Sequence, residues 1–476
     1  LIFLSFYSTL KSQNHVDALR YSFLEPLGTA RYSSLSGSFN SLGGDMGVIQ
    51  SNPASLGVYR TDEFSFSFNS SNKNTEANLE GLKTQNDVQK IYLQNLGYVK
   101  TLNLGEESLN GWNRFSWACT FNRLQNFNQT INFSGETNSS RINNFLESAQ
   151  GVHPDDLNPF SESLAYYSWL IDTVGDEFSY NSSFNNINGS NQSVTINRFG
   201  YIEELAFSIS GAYNDKLFIG FQAGFAGIDY RETIYYAEDT FLGEENESYE
   251  TGALNNFSYN QDLYVLGHGI NYKIGLIFKP FYWLRIGLAQ HSKTYYEIDE
   301  TWFTSLSTEF SNGDIYTEHS PDGFGNYELK TPSKSLAGIS FILLRKGLIS
   351  FDMEHIDYGS SHLNASYYNF TNENTNISTY YRNVTNVKIG LEWKFGDIAL
   401  RHGLAFFESP FSNEINDYSI TQNSFGIGYH QNQYFIDFAV SNSKQKETYY
   451  VYEGITNSVN ISETNSSFIF TVGYKF

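Results

Sequence analysis

In Tyr264–Phe278 one set of alternate residues reads Tyr264, Leu266, His268, Ile270, Tyr272, Ile274, Leu276 and Phe278, and the other Val265, Gly267, Gly269, Asn271, Lys273 and Gly275. A period of two places these sets on opposite sides of a β-strand. The split recurs in Val387–Phe395, where Val387, Ile389, Leu391, Trp393 and Phe395 alternate with Lys388, Gly390, Glu392 and Lys394. It recurs again in Phe115–Asn122 and Phe425–Tyr429. A chain made of such segments is confined to sheets. Alternation alone does not choose between a soluble sandwich and a barrel.

Connection lengths do choose. Reading strands throughout gives 14, at 61–70, 88–102, 113–137, 196–213, 216–236, 257–279, 283–303, 325–344, 347–359, 379–395, 397–410, 419–430, 433–452 and 463–476. From the fourth strand on, every other connection is tiny, as at 213–216, 279–283, 344–347, 395–397 and 430–433. The connections between them are long and polar, such as 237–256 and 304–324. Short turns on one rim and long loops on the other are the layout of an outer-membrane barrel. The expected fold is therefore all-β, a 14-stranded antiparallel transmembrane β-barrel, with the C-terminus on the short-turn, periplasmic side. Many strands exceed the ~9–11 residues a bilayer needs, so the wall is expected to rise above the membrane.

Composition agrees. The 40 Phe and 35 Tyr favour strands and bilayer boundaries. Mean hydropathy is −0.38, and no run of about 18 apolar residues marks a membrane helix; a barrel hides from that test by alternating. The net charge of −22 argues against nucleic acid as a partner. It suits loops facing outer-membrane lipid and lipopolysaccharide through divalent cations, and a solvated acidic surface explains it equally well. The single Cys119 excludes a disulfide framework and any multi-Cys metal site. Residues 1–13 start with the apolar run LIFLSFYSTL, which reads as the remnant of a secretory signal with cleavage near Gln13; a first strand or buried helix is the alternative. Phe468, Phe470, Val472, Tyr474 and Phe476 share one face of the last strand, an aromatic ending similar to the signal read by the barrel-assembly machinery.

Two regions break the rhythm. Residues 14–60 are rich in Gly and Ser and precede the first strand, and residues 138–195 form one very long loop. The first contains Gly28-Thr-Ala-Arg, then Gly43-Gly-Asp45-Met-Gly, then Asn52-Pro53-Ala54. In Asn52-Pro53-Ala54, Pro fixes φ and forces the preceding Asn to be extended, a rigid turn. Together these strings resemble the N-terminal hatch of the FadL-like family of long-chain fatty-acid transporters. Leu329–Gly338, Leu400–Gly403 and Ser409–Phe411 extend the resemblance over nearly the whole chain after residue 13. It implies a hatch formed by 14–60, including Gly28, Asp45, Asn52, Pro53 and Ala54, inside a barrel formed by 61–476. It also implies a kink in the third strand that opens the wall sideways. Asn126 and Asn128 stand mid-strand there, where Asn is disfavoured; the alternative is a straight strand whose upper half stands in solvent.

Candidate ligand contacts fall in two groups. Helical spacing in Arg141–Gln150 and Pro159–Asp172 gives the long loop an apolar stripe, from which Phe145, Leu146, Tyr167, Trp169 and Leu170 are expected to collect a hydrophobic small molecule or else to pack as loop core. Alternation also points Lys273, Arg285, Asp352, Glu354, Lys388, Glu392, Arg401 and Asp437 into the lumen. They either pair to anchor the hatch or, through Lys273, Arg285 and Arg401, hold a ligand carboxylate. No nucleotide loop, hydrolase elbow, metal site or cofactor motif stands out; His355, Asp357 and His362 read as rim residues. The expectation is a monomeric, non-enzymatic outer-membrane channel of a Gram-negative bacterium for hydrophobic small molecules. A barrel handling secreted proteins or serving a structural role, and an outer-membrane hydrolase, are the alternatives.

Overall fold

The computed structural model describes residues 15–104, 110–175, 178–246, 252–412, 417–452 and 457–476; the expected signal remnant at 1–13 lies outside them. Fourteen antiparallel strands form one closed barrel. In order they are β1 (Glu63–Leu79), β2 (Leu82–Asn103), β3 (Trp112–Asn126 and Gln129–Thr137), β4 (Phe184–Tyr213), β5 (Leu217–Glu245) and β6 (Leu254–Phe281). Then come β7 (Leu284–His291 and Tyr295–Phe310), β8 (Gly323–Lys330 and Lys334–Leu343), β9 (Gly347–Asp357, resumed at His362–Asn364) and β10 (Asn383–Phe395). The last are β11 (Ile398–Phe407), β12 (Ile420–Gln431), β13 (Tyr434–Tyr449) and β14 (Val459–Lys475). The barrel closes between β1 and β14, paired without a shift from Glu63↔Lys475 to Leu79↔Val459.

Each expected strand has its counterpart; the upper ends of β1, β2, β4 to β9 and β14 reach further than the periodicity predicts, while those of β10, β11 and β13 stop three or four residues sooner. The expected connection between 70 and 88 is a tight hairpin, since β1 and β2 stay paired up to Leu79↔Leu82. The long loop likewise ends at 183 rather than 195, because β4 starts at Phe184. These extensions are written in Ser, Asn, Thr and Glu. Standing above the lipid, they need no apolar outer face, so the periodic signal fades where the strand continues.

Below that level the alternation is strict. Phe64, Phe68, Trp117, Phe207, Ile209, Phe221, Ile274, Leu391, Trp393, Phe425, Ile427 and Phe470 are exposed, forming an apolar belt around the outside. So large a continuous patch is stable where lipid covers it. The inward positions are polar or small: Ser65, Ser67, Asn69, Gln222, Ser424, Ser441 and Thr471 are buried.

The lumen is filled from two directions. Residues 15–58 lie within the barrel as α1 (His15–Arg20), α2 (Ala30–Ser34), α3 (Met46–Ile49) and a 3₁₀ turn, Pro53–Val58. They touch the wall directly, mostly through backbone, where the wall carries glycine. A Cβ on Gly220, Gly275, Gly287 or Gly403 would collide with Pro53, the Asn52 amide, Asn40 or Leu35. From the other end, α4 (Arg141–Ala149) and α5 (Glu162–Tyr167) sink Ile142, Phe145, Leu164 and Ala165 into a core shared with Ala77, Phe133, Val194, Tyr236, Phe257, Leu306 and Ile461 of the surrounding strands.

Candidate functional site: a closed lumen with a broken wall

The residues singled out in the N-terminal segment bond chiefly within it. Thr29 Oγ1 donates to Asp45 Oδ1 at 2.6 Å, and the same oxygen accepts the Gly47 N–H at 2.8 Å, capping α3. Gly28 N–H donates to Ser33 Oγ at 3.1 Å. Asn52 is extended, at φ −141° and ψ 102°, and caps the Pro53 turn by accepting the Ala54 N–H at 3.0 Å. Its Nδ2 donates to Asn40 O at 2.8 Å. Pro53 fits at the first position of the turn because its missing N–H would be unpaired there anyway.

The lumenal charges do face inward, and the cations meet different partners. Arg401, with a fully buried side chain, bonds Glu392 at 2.7 Å and Asp437 at 2.5 Å. Glu392 also takes Arg31 of the N-terminal segment at 2.9 and 3.1 Å. Arg285 donates to Leu42 O at 2.6 Å, and Asp352 accepts the Asn40 N–H at 2.7 Å. Arg401 and Arg285 thus secure the N-terminal segment, whereas Lys273 pairs with Glu204 at 2.7 Å beside a cavity. Arg31 sits in the Gly28-Thr-Ala-Arg string, but no pattern in the sequence could name Glu392 as its partner. At the short-turn rim, Arg114 bonds Asp215 at 2.5 Å and Gly57 O at 3.4 Å. Partial burial pushes the Asp215 carboxyl up, but the hydrogen bond and charge of Arg114 outweigh it and hold it below the usual carboxylate range.

Two cavities lie between the fillings. The upper one, about 160 Å³, is lined by apolar side chains, among them Leu19, Phe23, Phe127, Tyr230, Phe411 and Ile420, by charged ones, Arg20, Glu25, Lys73, Arg198, Lys446, Glu447 and Glu463, and by Gln422, Ser441, Ser443 and Asn465. In volume alone this space matches a single small molecule, since a cavity of roughly 150 Å³ holds one benzene ring. The lower one, about 90 Å³, is lined by Tyr21, Tyr32, Asn271, Lys273, His291, Tyr296, Lys334 and Leu336. Glu25, Pro26 and Phe407 line both and form a collar between them, a feature with no signal in the sequence.

The wall beside the upper cavity is broken. β3 is interrupted at Phe127 and Asn128, where Asn126 Oδ1 accepts the Asn128 N–H at 3.1 Å. Asn126 thus closes a local turn that competes with the ladder. Opposite, Gly200 bends β4 with φ +115°, and its carbonyl takes the Phe127 N–H at 3.0 Å. The pairing of β2 with β3 runs only from Asn103↔Arg114 to Asn95↔Asn122. Above that point side chains alone span the gap: Gln94 to Arg123 O at 2.7 Å, Asn132 to Asn86 at 3.0 Å, and Thr84 to Asn132 O. Gln125, Asn126, Phe127 and Gln129 of the break line the cavity directly.

The cap divides the expected loop contacts. Phe145 and Leu170 are buried, Leu146 is partly buried, and Phe145 meets Tyr259 edge-on at 5.6 Å. Tyr167 and Trp169 stay 50% and 39% exposed, enough to meet a solute from outside. Phe145→Ala is expected to cost about 3–5 kcal/mol and to make residues 138–183 protease-sensitive. Tyr167→Ser with Trp169→Ser is expected to leave the cap resistant while slowing uptake of a hydrophobic probe. Normal uptake by that double variant would remove both residues from ligand capture.

The closed 14-strand antiparallel barrel matches FadL-type barrels in fold. A FadL homologue of Pseudomonas aeruginosa aligns over 96% of this chain and 100% of its own, with TM-score 0.59 and 12% identity. The Pseudomonas putida toluene transporter TodX aligns over 95% and 99%, with TM-score 0.55 and 15% identity. The Ralstonia pickettii toluene transporter TbuX does so over 95% and 99%, with TM-score 0.51 and 14% identity. At such identities the likeness establishes the fold. No family model and no curated protein matches the sequence.

Proposed function

We propose that this chain is an outer-membrane channel of a Gram-negative bacterium that takes up hydrophobic small molecules, fatty-acid-like or aromatic. The carrying observation is that the interrupted stretch of β3 forms part of the upper cavity's lining. A solute bound there lies next to the one gap in the β2–β3 ladder, so it can leave sideways into lipid without crossing water. Tyr167 and Trp169 collect the solute, the upper cavity binds it, residues 15–58 act as the hatch, and the β2–β3 gap releases it. The toluene transporters named above share the fold and support this reading. Of Lys273, Arg285 and Arg401, Lys273 is the one that borders a cavity, the lower one, where Lys334 and Lys388 also stand. The aromatic last strand supports assembly by the barrel-assembly machinery. Passage of a polypeptide would require displacing both fillings, which makes a protein-handling barrel the weaker reading.

Filling the upper cavity tests the proposal. Ser443→Trp is expected to abolish uptake of radiolabelled toluene by cells carrying the full chain, with heat stability of the barrel unchanged. Undiminished uptake would show that the solute does not use this cavity.

A further inference from the structure

A second discontinuity crosses the wall at β7, β8 and β9. β7 is interrupted at 292–294, β8 at 331–333, and β9 after Asp357, where a 3₁₀ turn (Tyr358–Ser360) intervenes before His362. Three neighbouring strands therefore lose regular pairing together. Between β6 and β8 two backbone bonds persist, Ser292 N–H to Tyr272 O at 2.8 Å and Thr331 N–H to Thr294 O at 3.0 Å, and beyond β9 the Tyr358 N–H donates to Arg382 O at 3.2 Å. The others come from side chains: the Tyr272 N–H donates to Ser292 Oγ at 2.9 Å, the Thr294 N–H to Thr331 Oγ1 at 2.9 Å, and Lys293 Nζ to Ser360 O at 3.0 Å. Pro332 has no N–H to offer the ladder. As in the β2–β3 gap, side chains take the place of backbone pairs, although here one backbone bond still joins β7 to β8.

Space lies on both sides of this break. Inside, Ser292, Thr294, Thr331, Pro332 and Lys334 line the lower cavity, which meets the upper one at the Glu25–Pro26–Phe407 collar. Outside, an open apolar depression of about 1170 Å³ follows the lipid-facing belt from Leu102 of β2 through Ile219, Phe221, Ile274 and Leu288 to Thr385 of β10; at β7 and β8 it reaches Gln290 and Ser335, beneath the break, without including the break residues themselves. Leu336 lines the depression and the lower cavity alike, so a single strand separates them there. We propose that the β7–β8 break is a second lateral portal, through which a small hydrophobic molecule passes between the lower cavity and the outer depression. The proposal rests on reading the chain as a hydrophobic channel. It gives the lumen two side exits, one per cavity, joined through the collar.

Cross-linking distinguishes the exits. In a Cys119→Ser background, Thr294→Cys with Thr331→Cys places a thiol pair across the β7–β8 break, and Asn86→Cys with Asn132→Cys places one across the β2–β3 gap. Each pair is bridged with a short reducible bis-methanethiosulfonate, and uptake of radiolabelled toluene by whole cells is followed before and after dithiothreitol. Bridging β7–β8 is expected to cut uptake several-fold, with recovery on reduction, and bridging both to cut it further than either alone. Uptake unaffected by the β7–β8 bridge, whether or not the β2–β3 bridge blocks it, overturns the portal and leaves the channel reading standing. Absence of uptake before any bridging defeats the channel reading itself. If the threonine pair prevents folding, Lys293→Cys with Ser360→Cys, at positions whose native residues bond across the break at 3.0 Å, serves the same comparison.

Discussion

Deleting residues 15–58 together with the cap helices, residues 141–167, is expected to turn a silent barrel into one that carries a continuous ionic current. Either deletion alone should conduct far less. The barrel is closed twice along one axis. The N-terminal segment fills the short-turn half, where wall glycines admit its backbone. The cap fills the long-loop half, where its apolar face joins side chains from β1, β3, β4, β5, β6, β7 and β14. Closures in series add their resistances, so the tighter of the two sets the current until both are gone. The strands themselves should survive, because β1–β14 closure and the ladders from β4 to β14 do not depend on either filling. Single-channel recording of the three deletions in planar bilayers measures this directly. A large steady current after the N-terminal deletion alone would mean that the cap does not seal. A silent double deletion would mean that neither region is the barrier.

How much of this was legible in the sequence follows from what each part is made to face. Strands inside the lipid belt had to alternate, so Val387–Phe395 announced both its faces, and Lys388 and Glu392 do point inward. Strands above the belt face water on the outside, and there Phe184 and Leu79 mark ends that no periodicity revealed. Asn126 was visible as an odd residue in mid-strand, and it does interrupt β3. That β2 separates from β3 above Asn95 was not visible, because register belongs to two strands and one sequence window shows one. The collar of Glu25, Pro26 and Phe407 joins residues far apart in the chain and was equally hidden. The long loop's apolar stripe was visible, but its division into buried Phe145 and Leu170 and exposed Tyr167 and Trp169 depends on how the cap sits on the strands.

Arg401→Ala is expected to be the most damaging single substitution in the lumen. Its guanidinium is fully buried between Glu392, at 2.7 Å, and Asp437, at 2.5 Å, and Glu392 in turn grips Arg31. Removing one member of a buried ion pair leaves its partner charged and dry, at a cost of about 3–5 kcal/mol. Asp437 would keep only His430, at 3.1 Å, and Glu392 would keep only Arg31. The loss also reaches the N-terminal segment, because Arg31 lies in α2, just ahead of Ser34, which packs on Gly426, and of Leu35 and Ser36, which pack on Gly403. The substitution should therefore lower the urea midpoint of the barrel and produce intermittent openings in planar bilayers. Arg285→Ala provides the comparison. It removes one hydrogen bond to Leu42 O and leaves no carboxylate unpaired, so its cost should stay near the roughly 1–3 kcal/mol of a buried acceptor without a donor. Restoring a positive charge with Arg401→Lys should recover only part of the loss, since an ammonium cannot reproduce the fork that reaches both acids at once. Equal stability of Arg401→Ala and Arg285→Ala would show that the Arg31–Glu392–Arg401–Asp437 chain does not fix the N-terminal segment in the lumen.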